Sequence, residues 1–267
     1  MPTSASPTID HLDQTWRSLV ELCETLTEEE WKRPTGCPGW TVQDNVAHLI
    51  DYEARALGRP APAGDPITGP HTRNDLGVSN EVGVAHRRPW SGTEVLAELR
   101  EVTAARSAQL HGLAPDDLDR QVTTPAGPRT LADSLVLRLM DTWTHEQDVR
   151  RALGRPGHDR GPAVEASVAY FTQFLPVVVG KRAAAPEGAV VVLDVGDVHR
   201  AAVEVTDGRA RPVDAAEAAG RATVRLAMPT TTYVAVVGGR SDAPDDVAIE
   251  GDVALGRRIV GALAFMP

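Results

Sequence analysis

The segment from Thr130 to Leu153 constrains the fold more than any other, because it reads as one long helix with two different faces. At about 100° per residue, Leu131, Leu135, Leu139, Trp143 and Leu153 make an apolar face, and Ser134, Arg138, Asp141, His145 and Asp148 fall beside it within an arc of roughly 80°. A helix of this kind needs partners on its apolar side, and Trp143 on the flank of the charged line implies that both flanks are covered. Asp141 and His145 stand one turn apart. They can be an exposed i,i+4 pair contributing a few tenths of a kcal/mol, or two ligands of one ion.

A third ligand is available on another helix. Residues 41–57 carry Val42, Val46, Leu49 and Ile50 as an apolar stripe, and His48 lies well off its centre, so it is not a core histidine. Its helical neighbours Asn45 and Tyr52 leave two options, a solvated edge or a second, polar seam facing another helix. If His48 reaches Asp141 and His145, the three make a His₂-carboxylate set with an open coordination position, which is a catalytic rather than a structural arrangement.

The surrounding pattern gives the frame. Apolar spacing and capping residues predict helices over 9–26, 41–57, 72–88, 93–113 and 130–153, with Thr27 and Glu30 as a capping box and Gly154 as a stop. Four principal helices joined by loops make a bundle, and no strand is expected before residue 150. Beyond the Pro- and Gly-rich stretch 154–162 the periodicity changes. After a helix over 163–179, strands are predicted over 189–195, 200–206, 222–228 and 247–251, with Asp207-Gly208 as a hairpin turn and helices over 230–239 and 252–265. The expected fold is therefore a two-domain α+β chain, a helical bundle over 1–157 and a small α/β sandwich over 158–267.

Composition narrows the function. A net charge of −10 argues against nucleic acid and against a polybasic membrane contact. The sequence shows no continuous run of 18 apolar residues and no signal-peptide pattern, so a soluble, cytoplasmic protein is expected. Cys23 and Cys37 form no Cys-x-x-Cys pair; Cys37 sits in Gly-Cys-Pro-Gly, which reads as a turn. No phosphate-cradling loop or Gly-x-Ser-x-Gly elbow is present.

Two stretches together, Trp31-x8-Trp40-Thr-Val-Gln-Asp-Asn-Val-Ala-His48-Leu and Asp141-Thr-Trp-Thr-His145-Glu-Gln-Asp-Val-Arg-Arg-Ala-Leu-Gly-Arg-Pro156, closely resemble the mycothiol-dependent maleylpyruvate isomerase family. The resemblance spans nearly the whole chain and is specific in the first half. It implies a DinB-like four-helix bundle followed by a sterol-carrier-like α+β domain. It also implies a divalent metal, usually zinc, at His48, Asp141 and His145, although the family carboxylate is Glu and Asp141 is one methylene shorter. The nucleophilic sulfur would arrive on mycothiol, so neither cysteine of the chain is expected to be needed. The partners implied are this small thiol and a small electrophilic substrate, handled by a monomer or weak homodimer. An acidic substrate or the thiol's polar body calls for donors: Arg225, alone on the polar face of its strand, is the candidate catalytic residue, and Arg138, Arg150 and Arg151 are candidates to bind the cofactor. Each of these arginines can equally be in an ordinary surface salt bridge. The competing functions are a ligand-binding protein and a regulatory protein that keeps the fold.

Overall fold

The computed structural model describes residues 5–65, 68–69, 71–72, 74–124, 127–241 and 245–265. The chain divides into two compact units, Met1–Gly157 and His158–Pro267.

In the first unit the helices are α1 (Pro7–Cys23), α2 (Glu28–Trp31), α3 (Val42–Ala56), α4 (Asp75–Arg87), α5 (Gly92–His111) and α6 (Leu131–Leu153). Their ends follow the local chemistry. Thr27, Thr41 and Ser91 each form a capping box, with Glu30, Asp44 and Glu94, which supplies partners for backbone N–H groups that a helix start leaves unpaired. Gly154 stops α6 in the left-handed region, φ 65°, where a side chain would be strained. The four long helices bury one another: α3 packs on α5 and α6, and α1 packs on α5 and α6. Leu19, Val46, Ile50, Val95, Leu99 and Val149 meet in the shared core, and each fully buried aliphatic side chain of this size contributes about 1.5–3 kcal/mol. Helix α3 is buried on nearly every side from Val42 to Asp51, so of the two options open for His48 the structure shows the polar seam facing other elements and not the solvated edge.

One expectation fails. A two-stranded antiparallel hairpin, β1 (Gln121–Thr124) and β2 (Gly127–Thr130), stands within the first 150 residues, pairing Gln121 with Thr130 and Thr124 with Gly127. The β-branched run Val122-Thr-Thr favours extended backbone, and its four residues are too few for periodicity to declare it. The hairpin runs directly into α6 through the cap Thr130.

The second unit holds α7 (Pro162–Thr172), β3 (Val190–Val195), β4 (His199–Thr206), β5 (Arg209–Val213), α8 (Ala215–Ala219), β6 (Val224–Met228), α9 (Thr230–Val237), β7 (Ala248–Gly251) and α10 (Val253–Ala262). The sheet order is β5-β4-β3-β6-β7, antiparallel except where β3 and β6 run parallel. Asp207 and Gly208 take φ 53° and 69°, the paired positive values a tight hairpin turn needs. Strand β3 is buried at all six positions, which accounts for its continuous apolar run, whereas β6 buries only Val224, Leu226 and Met228, as alternation predicted. The fold class read from the sequence therefore holds. Helix α8, five residues of mostly alanine, was not legible. Residues 162–182 are long and apolar enough to cross a membrane by length and composition, and about half of the most apolar part of that stretch is buried inside the protein.

Candidate metal centre

Helix α3 supplies His48, and α6 supplies Asp141 and His145 one turn apart. Their side chains converge. His48 Nε2 lies 3.2 Å from Asp141 Oδ2, His145 Nε2 lies 3.7 Å from Asp141 Oδ1, and one donor atom from each residue falls within 4.8 Å of the others. Four donors around a zinc ion at 2.0–2.2 Å would be separated by about 3.3–3.6 Å, so two imidazoles and a carboxylate at these separations fit a first-row divalent ion. The two histidines are buried and Asp141 is partly exposed, which leaves the carboxylate side as the way in.

Charge around the trio is arranged in layers. Arg138 donates from Nη1 to Asp141 Oδ2 at 2.7 Å and from Nε to Glu53 Oε1 at 2.8 Å, with its guanidinium 3.7 Å from the centre of the Tyr52 ring. Burial raises the Asp141 pKa, but Arg138 and the two histidines outweigh it and hold the carboxyl well below its ordinary range. Burial lowers the His48 pKa despite Asp141, which favours the neutral ring that can ligate. His145 goes the other way: burial pulls its pKa down, but hydrogen bonds with Asp148 and Cys37 and the charge of Asp141 raise it to about 10. An ion bound there would displace a proton.

Trp40 forms the aromatic wall, with its ring centre 5.3 Å from that of His48 and 5.9 Å from that of His145. Its Nε1 donates to the fully buried Glu81 at 3.0 Å, which fixes the indole. Behind His145 lie Asn45, Asp148 and Cys37, with Nδ1 at 2.8 Å from Asn45 Oδ1, 3.3 Å from Asp148 Oδ2 and 3.9 Å from Cys37 Sγ. Cys37 is thus more than a turn residue, because the loop carries it against α6. Cys23 is buried in the α1 core, and burial pushes its thiol pKa up, the reverse of what a nucleophile needs.

The candidate arginines separate. Arg138 touches the trio directly, and Arg151 reaches it through Asp148, at 3.6 Å from Oδ1. Arg150 pairs with Glu146 at 2.7 Å and donates to Ser18 Oγ at 2.9 Å, joining α6 to α1. Arg225, on β6 of the second unit, donates from Nε to Asp194 at 2.6 Å. Glu53 and Glu81 were missed by sequence reading, since an isolated glutamate on a helix reads as a solvated residue. Their partners are distant in sequence, Arg106 and Arg138 for Glu53 and the Trp40 indole for Glu81.

A helical bundle with a His₂-carboxylate set at its α3–α6 seam, followed by a mixed five-stranded sheet unit, defines the class of protein. Residues 12–150 match the mycothiol maleylpyruvate isomerase N-terminal domain, and residues 165–258 match the C-terminal domain of the same family. The chain belongs to the mycothiol-dependent maleylpyruvate isomerase family. In fold it is similar to the crystal structure of the mycothiol-dependent maleylpyruvate isomerase and to that of a mutant of that enzyme. The TM-scores are 0.57 and 0.56 at 16% identity, over 94% of this chain and 95% of each of those. Uncharacterized proteins from two strains of Mycobacterium tuberculosis are 30% identical over 147 residues, 53% of this chain and 55% of theirs. The chain spans about half the length of these curated relatives.

Proposed function

We propose that this protein is a divalent-metal enzyme, with zinc the best-suited ion, that uses the thiolate of mycothiol on a small electrophilic substrate. The reaction is cis–trans isomerisation of the maleylpyruvate type or transfer of the thiol. The observation that carries this reading is the convergence of one donor atom each from His48, Asp141 and His145 within 4.8 Å, on the side where Asp141 is partly exposed. A metal held by these residues would lower the pKa of a thiol brought to its open position, so that the sulfur is a thiolate at neutral pH.

The chain's own groups have separate tasks. His48, kept neutral by burial, and Asp141, kept ionised by Arg138, present lone pairs without a protonation step at His48. Trp40 shields the imidazoles from water on one side. Arg225, which donates from Nε to Asp194 and has 39% of its side chain exposed, is the candidate donor to a substrate carboxylate. Arg138, and Arg151 with 36% of its side chain exposed, are the better placed of the proposed thiol-binding arginines; Arg150 is engaged with α1. The bound thiol would supply a nucleophile for reversible addition to an activated double bond, and in isomerisation its elimination after rotation about the single bond would leave the trans form. No oxidant or reductant is consumed. In transfer, the thiol would stay on the substrate, with a proton taken up by the neighbouring carbon.

Elemental analysis of the purified protein tests the reading. About one divalent ion per chain is expected, lost in His48→Ala and in His145→Ala, with turnover of a cis-enone acid dependent on mycothiol and not on glutathione. A protein that binds no ion under saturating zinc would end it.

A further inference from the structure

The hydrogen-bond directions behind His145 can be assigned atom by atom. Asn45 Nδ2 donates to Thr35 Oγ1 at 3.0 Å and to the Thr41 carbonyl at 2.8 Å, so both amide hydrogens are used on acceptors. Thr35 Oγ1 can accept because its own hydrogen goes to the Trp40 carbonyl at 3.0 Å. Turning the amide over would set Oδ1 against the Thr41 carbonyl, two acceptors face to face, so Oδ1 is the atom facing His145 Nδ1. The second neighbour of Nδ1, Asp148 Oδ2, is a carboxylate oxygen. Nδ1 therefore faces acceptors and carries a hydrogen. In the neutral ring the lone pair is left on Nε2, the nitrogen directed at Asp141.

Cys37 completes the arrangement. Its Sγ is 3.1 Å from Asp148 Oδ2 and 3.3 Å from Asn45 Oδ1, so its S–H has an acceptor and returns a hydrogen to the carboxylate that serves His145. All three partners are buried. None of them belongs to the ligand trio, and all reach His145 from the side opposite Nε2.

We propose that Asn45, Asp148 and Cys37 are positioning residues. They hold His145 with its hydrogen on Nδ1 and so deliver the Nε2 lone pair to the metal, a role that rests on the metal reading above. Outer partners of this kind govern affinity by fixing the ring and its tautomer, and their loss typically weakens metal binding 10–100-fold.

Two measurements test this separately from the metal itself. In metal-free protein labelled with ¹⁵N-histidine, His145 should show a slowly exchanging Nδ1–H, which is present whether the ring is neutral or cationic; Asn45→Ala should abolish the slow exchange. In zinc competition with a chelating dye, Asn45→Ala should bind 10–100-fold more weakly, while Asn45→Asp and Cys37→Ser, which keep the acceptor and the donor, stay within a few-fold of the parent. Melting curves show whether each variant is folded, and if Asn45→Ala is not, the parent's Nδ1–H signal decides. The proposal falls if Nδ1 carries no hydrogen in the metal-free protein, or if folded Asn45→Ala binds zinc as tightly as the parent. It also falls if Cys37, His145 and Asp148 take up a second zinc of their own. A parent that binds no zinc but shows the protected Nδ1–H would refute the metal reading and with it the delivery role, leaving the hydrogen-bonding assignment standing.

Discussion

Replacing Glu53 by Gln separates burial from proximity as the source of an ion pair's worth. Glu53 is 2% exposed and serves two guanidiniums, Arg138 at 2.8 Å and Arg106 at 3.3 Å. The amide has the same shape, so no cavity opens, but two buried cations lose a shared counter-charge. Arg138 keeps Asp141, and Arg106 keeps a hydrogen bond with Gln109. Removing one partner of a buried pair costs about 3–5 kcal/mol, and because one amide oxygen still accepts, the low end, about 3 kcal/mol, is expected. For a unit of this size each kcal/mol moves the melting point by about 2–4 °C, so the fall should be about 6–12 °C. Glu24→Gln is the control, because Glu24 and Arg100 are just as close at 2.6 Å but 44% and 51% exposed. Exposed pairs contribute about 0–1 kcal/mol. Trp16, Trp31, Trp40, Trp90 and Trp143 are the chain's only tryptophans and all lie before Gly157, so tryptophan fluorescence melts report the helical unit alone. Equal shifts in the two variants, or a shift under about 2 °C for Glu53→Gln, would refute the reasoning.

Three further outcomes follow from particular contacts. Gly83→Ala should destabilise the bundle by about 1–3 kcal/mol although Ala is the better helix former, because its Cβ would meet the buried Asp51 carboxylate carbon at 2.2 Å; a higher melting point would contradict the close α3–α4 approach. In metal-free protein, His145 has its pKa raised from 6.5 to about 10, so its stabilising protonation is fully present below 6.5 and is lost as pH rises through 10. The stability gap between wild type and His145→Gln should shrink over that window, and zinc uptake should strengthen by about tenfold per pH unit below 10; a gap that widens with pH would be the wrong sign. Burial raises the Asp194 pKa, but Arg200 and Arg225 outweigh it and hold the group below its ordinary 3.8. Hydrogen-exchange protection of β3 lost in Asp194→Asn should therefore be constant above about pH 5 and vanish in stronger acid. Protection independent of pH would remove Asp194 as its source.

What could be read from the sequence follows the range of the interactions. Caps such as Thr41 with Asp44 and Ser91 with Glu94 act across three residues, and Asp141 with His145 across four, so composition and spacing state them directly. The placement of His48 against Asp141 spans 93 positions, and helical periodicity could say only that His48 lay off the apolar stripe; the motif around Trp40 carried it further. Glu53 and Glu81 lay beyond that reach. A glutamate in a helix reads as solvated until a distant arginine or an indole N–H is known to meet it, and those partners, Arg138 and Trp40, stand 85 and 41 positions away.

The loop 34–41 shows the limit most clearly. Gly-Cys-Pro-Gly announces a turn, and a turn it is, tied by the Pro34–Thr41 bridge. What local chemistry does not announce is where the turn lands. The bridge fixes the loop beside the start of α3, and Asn45, one turn into that helix, binds both the loop through Thr35 and α6 through His145. The same side chain therefore sets the position of the loop and the orientation of the metal-facing imidazole. That gives Asn45 two roles that a variant can separate: Asn45→Asp keeps the acceptor toward His145 but loses the amide hydrogens to Thr35 and Thr41. It should lower the melting point of the bundle while leaving His145 oriented.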